Sequence, residues 1–176
     1  MKKIKFPTFR GFIIAEPIII AATTLMLVAY PLATQPHSEK ARQSTCTSNQ
    51  KQVALATLLY CYENDETFPA VSENVGEVWE LIDVYAKILE CPSNRNNRSF
   101  SYAYNTNLSN LSLEKIPIPT EVALTADSDR EDSKMIETTD IALRHRIGET
   151  TAAIVSFTDG HVAWMSEDSI NDVLFK

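Results

Sequence analysis

FRGFIIAEPIIIAATTLMLVAYPLA, residues 9–33, decides how the chain is read, because it is apolar apart from Arg10, Glu16 and a few hydroxyl groups. A helix from Phe12 to Ala33 would be about 33 Å long at about 1.5 Å per residue, enough for a hydrocarbon core of about 30 Å. A secretory signal peptide usually has a shorter apolar core, about 7–15 residues, and a small-residue cleavage site, for which Ala29 to Ala33 would serve. Length and the lysines before the run favour a transmembrane helix over 12–33. Glu16 is the anomaly. A carboxylate at mid-membrane depth costs about 2.5–3.5 kcal/mol on insertion scales, so it calls for a partner. A cut after Gly11 would create an amino group on Phe12, and Glu16 could pair with that group on a neighbouring chain.

Charge supports an inserted segment. Lys2, Lys3, Lys5 and Arg10 give the first eleven residues +4, while the 176-residue chain totals −7, so the rest carries −11. Positive flanks stay cytoplasmic, which would put the acidic body on the far side of the membrane. An acidic body also argues against nucleic acid, whose phosphates need Lys and Arg. Three cysteines, Cys46, Cys61 and Cys91, allow one bridge and one free thiol in an oxidising compartment. Free cytosolic thiols are the alternative.

Beyond Pro31 and Pro36, residues 34–62 read as a stalk helix with Ser38 as its cap. Its apolar residues, Cys46, Val53, Leu55, Leu58, Leu59 and Tyr62, recur on one side. The polar half, 40–52, would lie on the surface and the apolar half would pack into a head over 63–176. VWELIDVYAKIL (78–89) predicts a second helix with Val78, Trp79, Ile82, Tyr85 and Leu89 on one face, stopped at Cys91-Pro92. SFSYAYN (99–105) predicts a half-buried strand and EVALTAD (121–127) a short apolar one. TAAIVSFTDGHVAWM places Asp159-Gly160 between two runs of β-branched and aromatic residues, the signature of a two-residue type I′ hairpin. The fold class expected is α+β: a long N-terminal helix packed on a small antiparallel sheet.

The leader resembles the class III leader of type IV pilins and pseudopilins: a short basic segment over 1–11, Gly11-Phe12, Glu16, then an apolar helix. Ile13-Ile14-Ala15 and Pro17 depart from the family's usual pattern. Pro17 lacks an N–H and would sit best where the regular helix begins. The resemblance continues along the chain through Cys46-Thr47-Ser48-Asn49-Gln50-Lys51-Gln52, Tyr62-Glu63-Asn64-Asp65, Phe68-Pro69, Cys91-Pro92-Ser93, Tyr102-Ala103-Tyr104-Asn105, Arg144-His145 and Asp159-Gly160-His161-Val162. These occur in the order of a bacterial pilin-like group. The resemblance implies cleavage after Gly11 by a prepilin peptidase, methylation of Phe12, and Glu16 registering neighbouring pilin-like subunits in a filament. The protein would then be single-pass in a bacterial inner membrane, its N-terminus cytoplasmic and its head outside.

Other chemistry is weakly encoded. His145, Asp159 and His161 suggest a zinc or acid–base set only if the hairpin brings the two histidines together. Asp127, Asp129 and Glu131 alternate like the start of a calcium loop, but Asp132 and Thr138 replace the glycine and the bidentate acid such a loop needs. No phosphate-binding glycine loop, serine-nucleophile elbow or zinc-protease motif occurs. These absences point to a structural component without cofactor rather than an enzyme. The alternatives are an uncleaved, membrane-anchored binding domain and an exported metal-dependent enzyme. Cys46 at the start of the helix's apolar face and Cys91 at a helix end are the expected disulfide, with Cys61 as the competing partner.

Overall fold

A computed structural model describes residues 19–20, 23–25, 39–72, 75–94 and 100–175. The chain divides into two compact units, Met1–Ser38 and Glu39–Lys176. In the first unit, residues 19–20 and 23–25 are helical, with Ile19, Ile20 and Leu25 exposed. The Thr23 and Thr24 hydroxyls donate to the Ile19 and Ile20 carbonyls, which satisfies polar groups within an apolar helix. Among the described residues no helix is long and apolar enough to cross a membrane. Gly11, Phe12, Glu16, Pro17, Ser38 and most of the expected span lie outside the described residues.

The second unit opens with helix α1, Glu39–Glu63, which belongs to the same unit as the sheet. Its buried face is Cys46, Asn49, Gln50, Val53, Ala54, Thr57 and Cys61, at the three- and four-residue spacing that keeps one side of a helix inward. The expected apolar stripe is therefore corrected. Cys46 and Val53 do face in, but Leu55, Leu59 and Tyr62 face solvent, Tyr62 with 82% of its surface exposed. Polar residues take the inner positions because partners wait there. Asn49 donates to the Glu90 carbonyl at 3.0 Å, and Gln50 donates to the Ile154 carbonyl while accepting from the Thr125 hydroxyl. The helix stops where Asp65 and Glu66 adopt left-handed φ values of 52° and 53°.

Helix α2 is short, Gly76–Leu81, and Asp83 at φ 51° ends it. A separate 3-10 turn, Ala86–Leu89, follows. The expected continuous helix over 78–89 is thus broken in two. Val78, Trp79, Ile82 and Leu89 still reach the core, whereas Tyr85 points outward, 74% exposed.

Among the described residues six strands form one sheet: β1 Tyr102–Asn105, β2 Ala123–Asp127, β3 Lys134–Met135, β4 His145–Ile147, β5 Thr150–Phe157 and β6 Val162–Ser166. β1 pairs antiparallel with β2, β2 with β5, and β5 with β4 and β6. Ala152 is opposite both His145 and Ser166, and Val155 is opposite both Ala126 and Ala163. So β2 and β4 share one edge of β5 while β6 occupies the other. The sheet is mixed, not wholly antiparallel as expected. The chain leaves β2, turns with Ser133 at φ 51°, and lies on the far edge of β1, where it must run parallel to β1.

All four residues of β1 are buried, so it is not half-buried as the alternation suggested, and all five residues of β2 are buried. One apolar cluster joins α1 and α2 to Tyr104 and Leu124; another joins Ala103, Ala126, Val155 and Phe157 to Ile141, Ile170 and Val173. Both sides of the sheet are therefore covered.

The β5–β6 hairpin forms at Asp159-Gly160, but with a different turn. The Gly160 N–H donates to the Phe157 carbonyl at 2.8 Å and the Phe157 N–H donates to the His161 carbonyl at 3.0 Å. Gly160 alone of the pair has positive φ, 85°. This is a three-residue loop with a glycine bulge rather than a two-residue type I′ turn.

Candidate functional site

The residues with chemistry converge where α1 begins, at its contact with β2 and β4. Cys46, the first residue of the buried face of α1, is joined to Cys91 in a disulfide with Cα atoms 5.0 Å apart. The third cysteine, Cys61, is free and buried. Tyr102 and Ile154 pack around the bridge, and the Cys91 N–H donates to the Ser101 hydroxyl at 2.9 Å.

His145, the first residue of β4, is completely buried against this bridge. Its Nε2 lies 3.6 Å from Cys91 Sγ and 3.2 Å from Asp127 Oδ2, and its ring is 5.5 Å from that of Trp164. Asp127 ends β2, also with no exposed surface. A buried carboxylate must be compensated. Here Oδ2 accepts from the Ile154 N–H at 2.7 Å, and the Arg144 Nε stands 3.9 Å from Oδ1. Arg144 in turn donates to the Ser128 carbonyl and to Asp129 at 3.0 Å. On the other side of the imidazole, Nδ1 has no hydrogen-bond partner among the described residues and lies 4.0 Å from Glu39 Oε1. Burial works against the charge of Glu39, but hydrogen bonds from Arg42 and Ser93 outweigh it and hold its carboxyl below the usual range. Burial, helped by the Asp127 charge, raises the Tyr102 phenol well above its usual range.

A cleft of about 940 Å³ opens beside these groups, lined in part by Glu39, Arg42, Ser93, Arg144, His145 and Arg146. Asp127 and the Cys91 sulfur both meet Nε2 rather than flanking the ring, so the imidazole does not stand between carboxylate and sulfur as acid–base activation of a thiol requires. Here both sulfurs are spent on the bridge, so the arrangement offers no nucleophile while the disulfide is intact.

The other sequence candidates separate. His161 sits at the opposite end of β5 from His145; its Nδ1 is 2.6 Å from Asp159, and its ring stacks on Phe157 at 4.3 Å. The supposed His145–Asp159–His161 set is not assembled. Nor do Asp127, Asp129 and Glu131 converge, since Asp127 points into the core while Asp129 pairs with Arg144 at the surface. Among the described residues, the one His/Cys/Asp/Glu trio whose ligand atoms all approach within 4.8 Å is Cys46, Cys91 and His145. The Asp127–His145 contact was missed because Asp127 reads as part of an acidic loop. The signal was its place as the last residue of an apolar strand, which aims it inward.

No family model, curated protein or solved structure matches the chain.

Proposed function

We propose that this chain is a structural subunit of a type II secretion pseudopilus or type IV pilus-like filament. In this reading, residues 12–33 anchor it in a bacterial inner membrane and the unit from Glu39 onward stands outside the cytoplasm. A prepilin peptidase cuts after Gly11, and Glu16 meets the new Phe12 amino group of an adjacent subunit. Its partners are that peptidase, other pilin-like subunits and the membrane; nucleic acid is not among them.

The observation that carries the reading is where the recurring motif residues lie. Cys46 and Cys91 form the bridge, Asn49 and Gln50 tie α1 to the body, and Asn105 donates to the Ala123 and Phe175 carbonyls. Tyr102, Tyr104 and His145 are fully buried. Residues used this way build a rigid head rather than a substrate pocket, as a structural subunit needs.

Subunit crosslinking in membranes tests the proposal. Glu16→Ala should leave membrane insertion intact, since it removes a charge from lipid, while crosslinking between subunits falls. Unchanged crosslinking would reduce Glu16 to an interfacial acid and favour an uncleaved, anchored binding domain.

A further inference from the structure

We propose that the reduced head binds zinc(II) through Cys46, Cys91 and His145, so that disulfide and metal are alternative states of one buried site. The geometry is nearly that of a coordination sphere already. With Zn–S about 2.3 Å and Zn–N about 2.05 Å, a tetrahedral site has a sulfur–nitrogen edge of about 3.6 Å and a nitrogen–oxygen edge of about 3.4 Å. Cys91 Sγ to His145 Nε2 is 3.6 Å, and His145 Nε2 to Asp127 Oδ2 is 3.2 Å. The carboxylate of Asp127 is thus the nearest group for the fourth position. Once reduced, the two sulfurs need only swing to the separation of about 3.8 Å that two zinc thiolates keep.

Rigid elements hold the ligands: Cys46 on α1, His145 on β4, Asp127 on β2, and Cys91 pinned by its N–H to Ser101. Burial makes a cation necessary once the thiols lose their protons. Cys46 and His145 have no exposed surface and Cys91 has 3%. Two thiolates there would be costly without a cation, and zinc neutralises both.

A carboxylate also stands near the far ring nitrogen. An Nε2 proton finds an acceptor in the Asp127 carboxylate, 3.2 Å away. On metal binding Nε2 presents its lone pair, and the ring proton is carried by Nδ1, the atom without a partner among the described residues, 4.0 Å from Glu39 Oε1. Carboxylate–histidine–metal order is what orients such ligands in zinc sites. The chemistry balances with a thiol or phosphine reductant. A dithiol closes to its own disulfide, or a phosphine takes oxygen from water, and the protein gains two thiols. Metal binding then releases both thiol protons to solvent.

The test is an anaerobic titration of the phosphine-reduced full chain in detergent with cobalt(II) chloride, read by absorption. The expected result is a thiolate-to-cobalt charge-transfer band with the visible bands of tetrahedral cobalt, saturating at one metal per chain and bleached by zinc. The disulfide form should give neither, and Cys61→Ser should keep both. Glu39→Gln should weaken binding by about 10-fold, as loss of an outer-shell partner does. Absence of tetrahedral bands from the reduced chain, folded or not, overturns the proposal. So do bands that survive Cys46→Ser with Cys91→Ser, or bands lost in Cys61→Ser when the wild type shows them.

Discussion

Replacing both bridge cysteines, Cys46→Ala with Cys91→Ala, should cost the head about 4 kcal/mol. The bridge joins residues 45 apart. Closing a loop of that size removes about 13 cal/mol/K from the unfolded chain in the chain-entropy model, which is about 4 kcal/mol at 25 °C. For a unit of about 140 residues, unfolding entropy near 2.1 cal/mol/K per residue converts this to a fall of about 14 °C in Tm. The assay is urea unfolding of the full chain in detergent, followed by the combined fluorescence of Trp79, which is 3% exposed, and Trp164. Thiol labelling gives an internal control. Burial pushes the Cys61 thiol up to about 12, so at pH 8 it is protonated and should resist labelling until the chain unfolds. A loss below about 1 kcal/mol, or three labelled thiols in the denatured, unreduced protein, would refute the reasoning.

Gly160→Ala should destabilise by about 1–2 kcal/mol, because its φ of 85° strains any residue with a Cβ. The new Cβ would also meet Leu58 Cδ1 at 2.8 Å; Leu58→Ala relieves that contact but not the backbone, so thermal melts of the double variant should recover only a minor part. Gln50→Leu should cost about 1–3 kcal/mol in urea unfolding, since the Ile154 carbonyl loses a donor and the Thr125 hydroxyl an acceptor inside the core. Hydrogen bonds from Arg130 hold the Asp132 carboxyl at about 2 against its ordinary 3.8. A depressed folded pKa means that the stabilisation is present above about pH 4 and is lost as pH falls towards 2. Arg130→Ala should flatten that part of the stability profile, and an unchanged slope between pH 4 and 2 would dismiss the pairing.

Much of the head was legible locally. The residue types around Asp159-Gly160 announce a hairpin whatever the turn, and the glycine's freedom then selects the bulged loop. The helix around Cys46 to Tyr62 was legible too, but not its inward face. Hydropathy favours Leu55, Leu59 and Tyr62 as core, whereas the fold buries Asn49, Gln50 and Thr57, whose partners come from segments distant in sequence or from the helix's own backbone. No local periodicity can reveal a hydrogen bond between residues 50 and 125. The same limit hid the pairing of Asp127 with His145, and the parallel return of β3 depends on a crossover that two short strands do not advertise. The break in the second helix lies at Asp83, a residue type that tolerates left-handed backbone, yet its sequence continues a helical pattern through Leu89.

The mature N-terminus tests the filament account most directly. Mass spectrometry and N-terminal sequencing of the protein extracted from membranes should find a chain that begins at N-methylated Phe12 and lacks the eleven-residue leader. The same measurement on Gly11→Val should find the uncut precursor. A wild-type chain that keeps residues 1–11, or one cut instead near Ala33, would contradict the account.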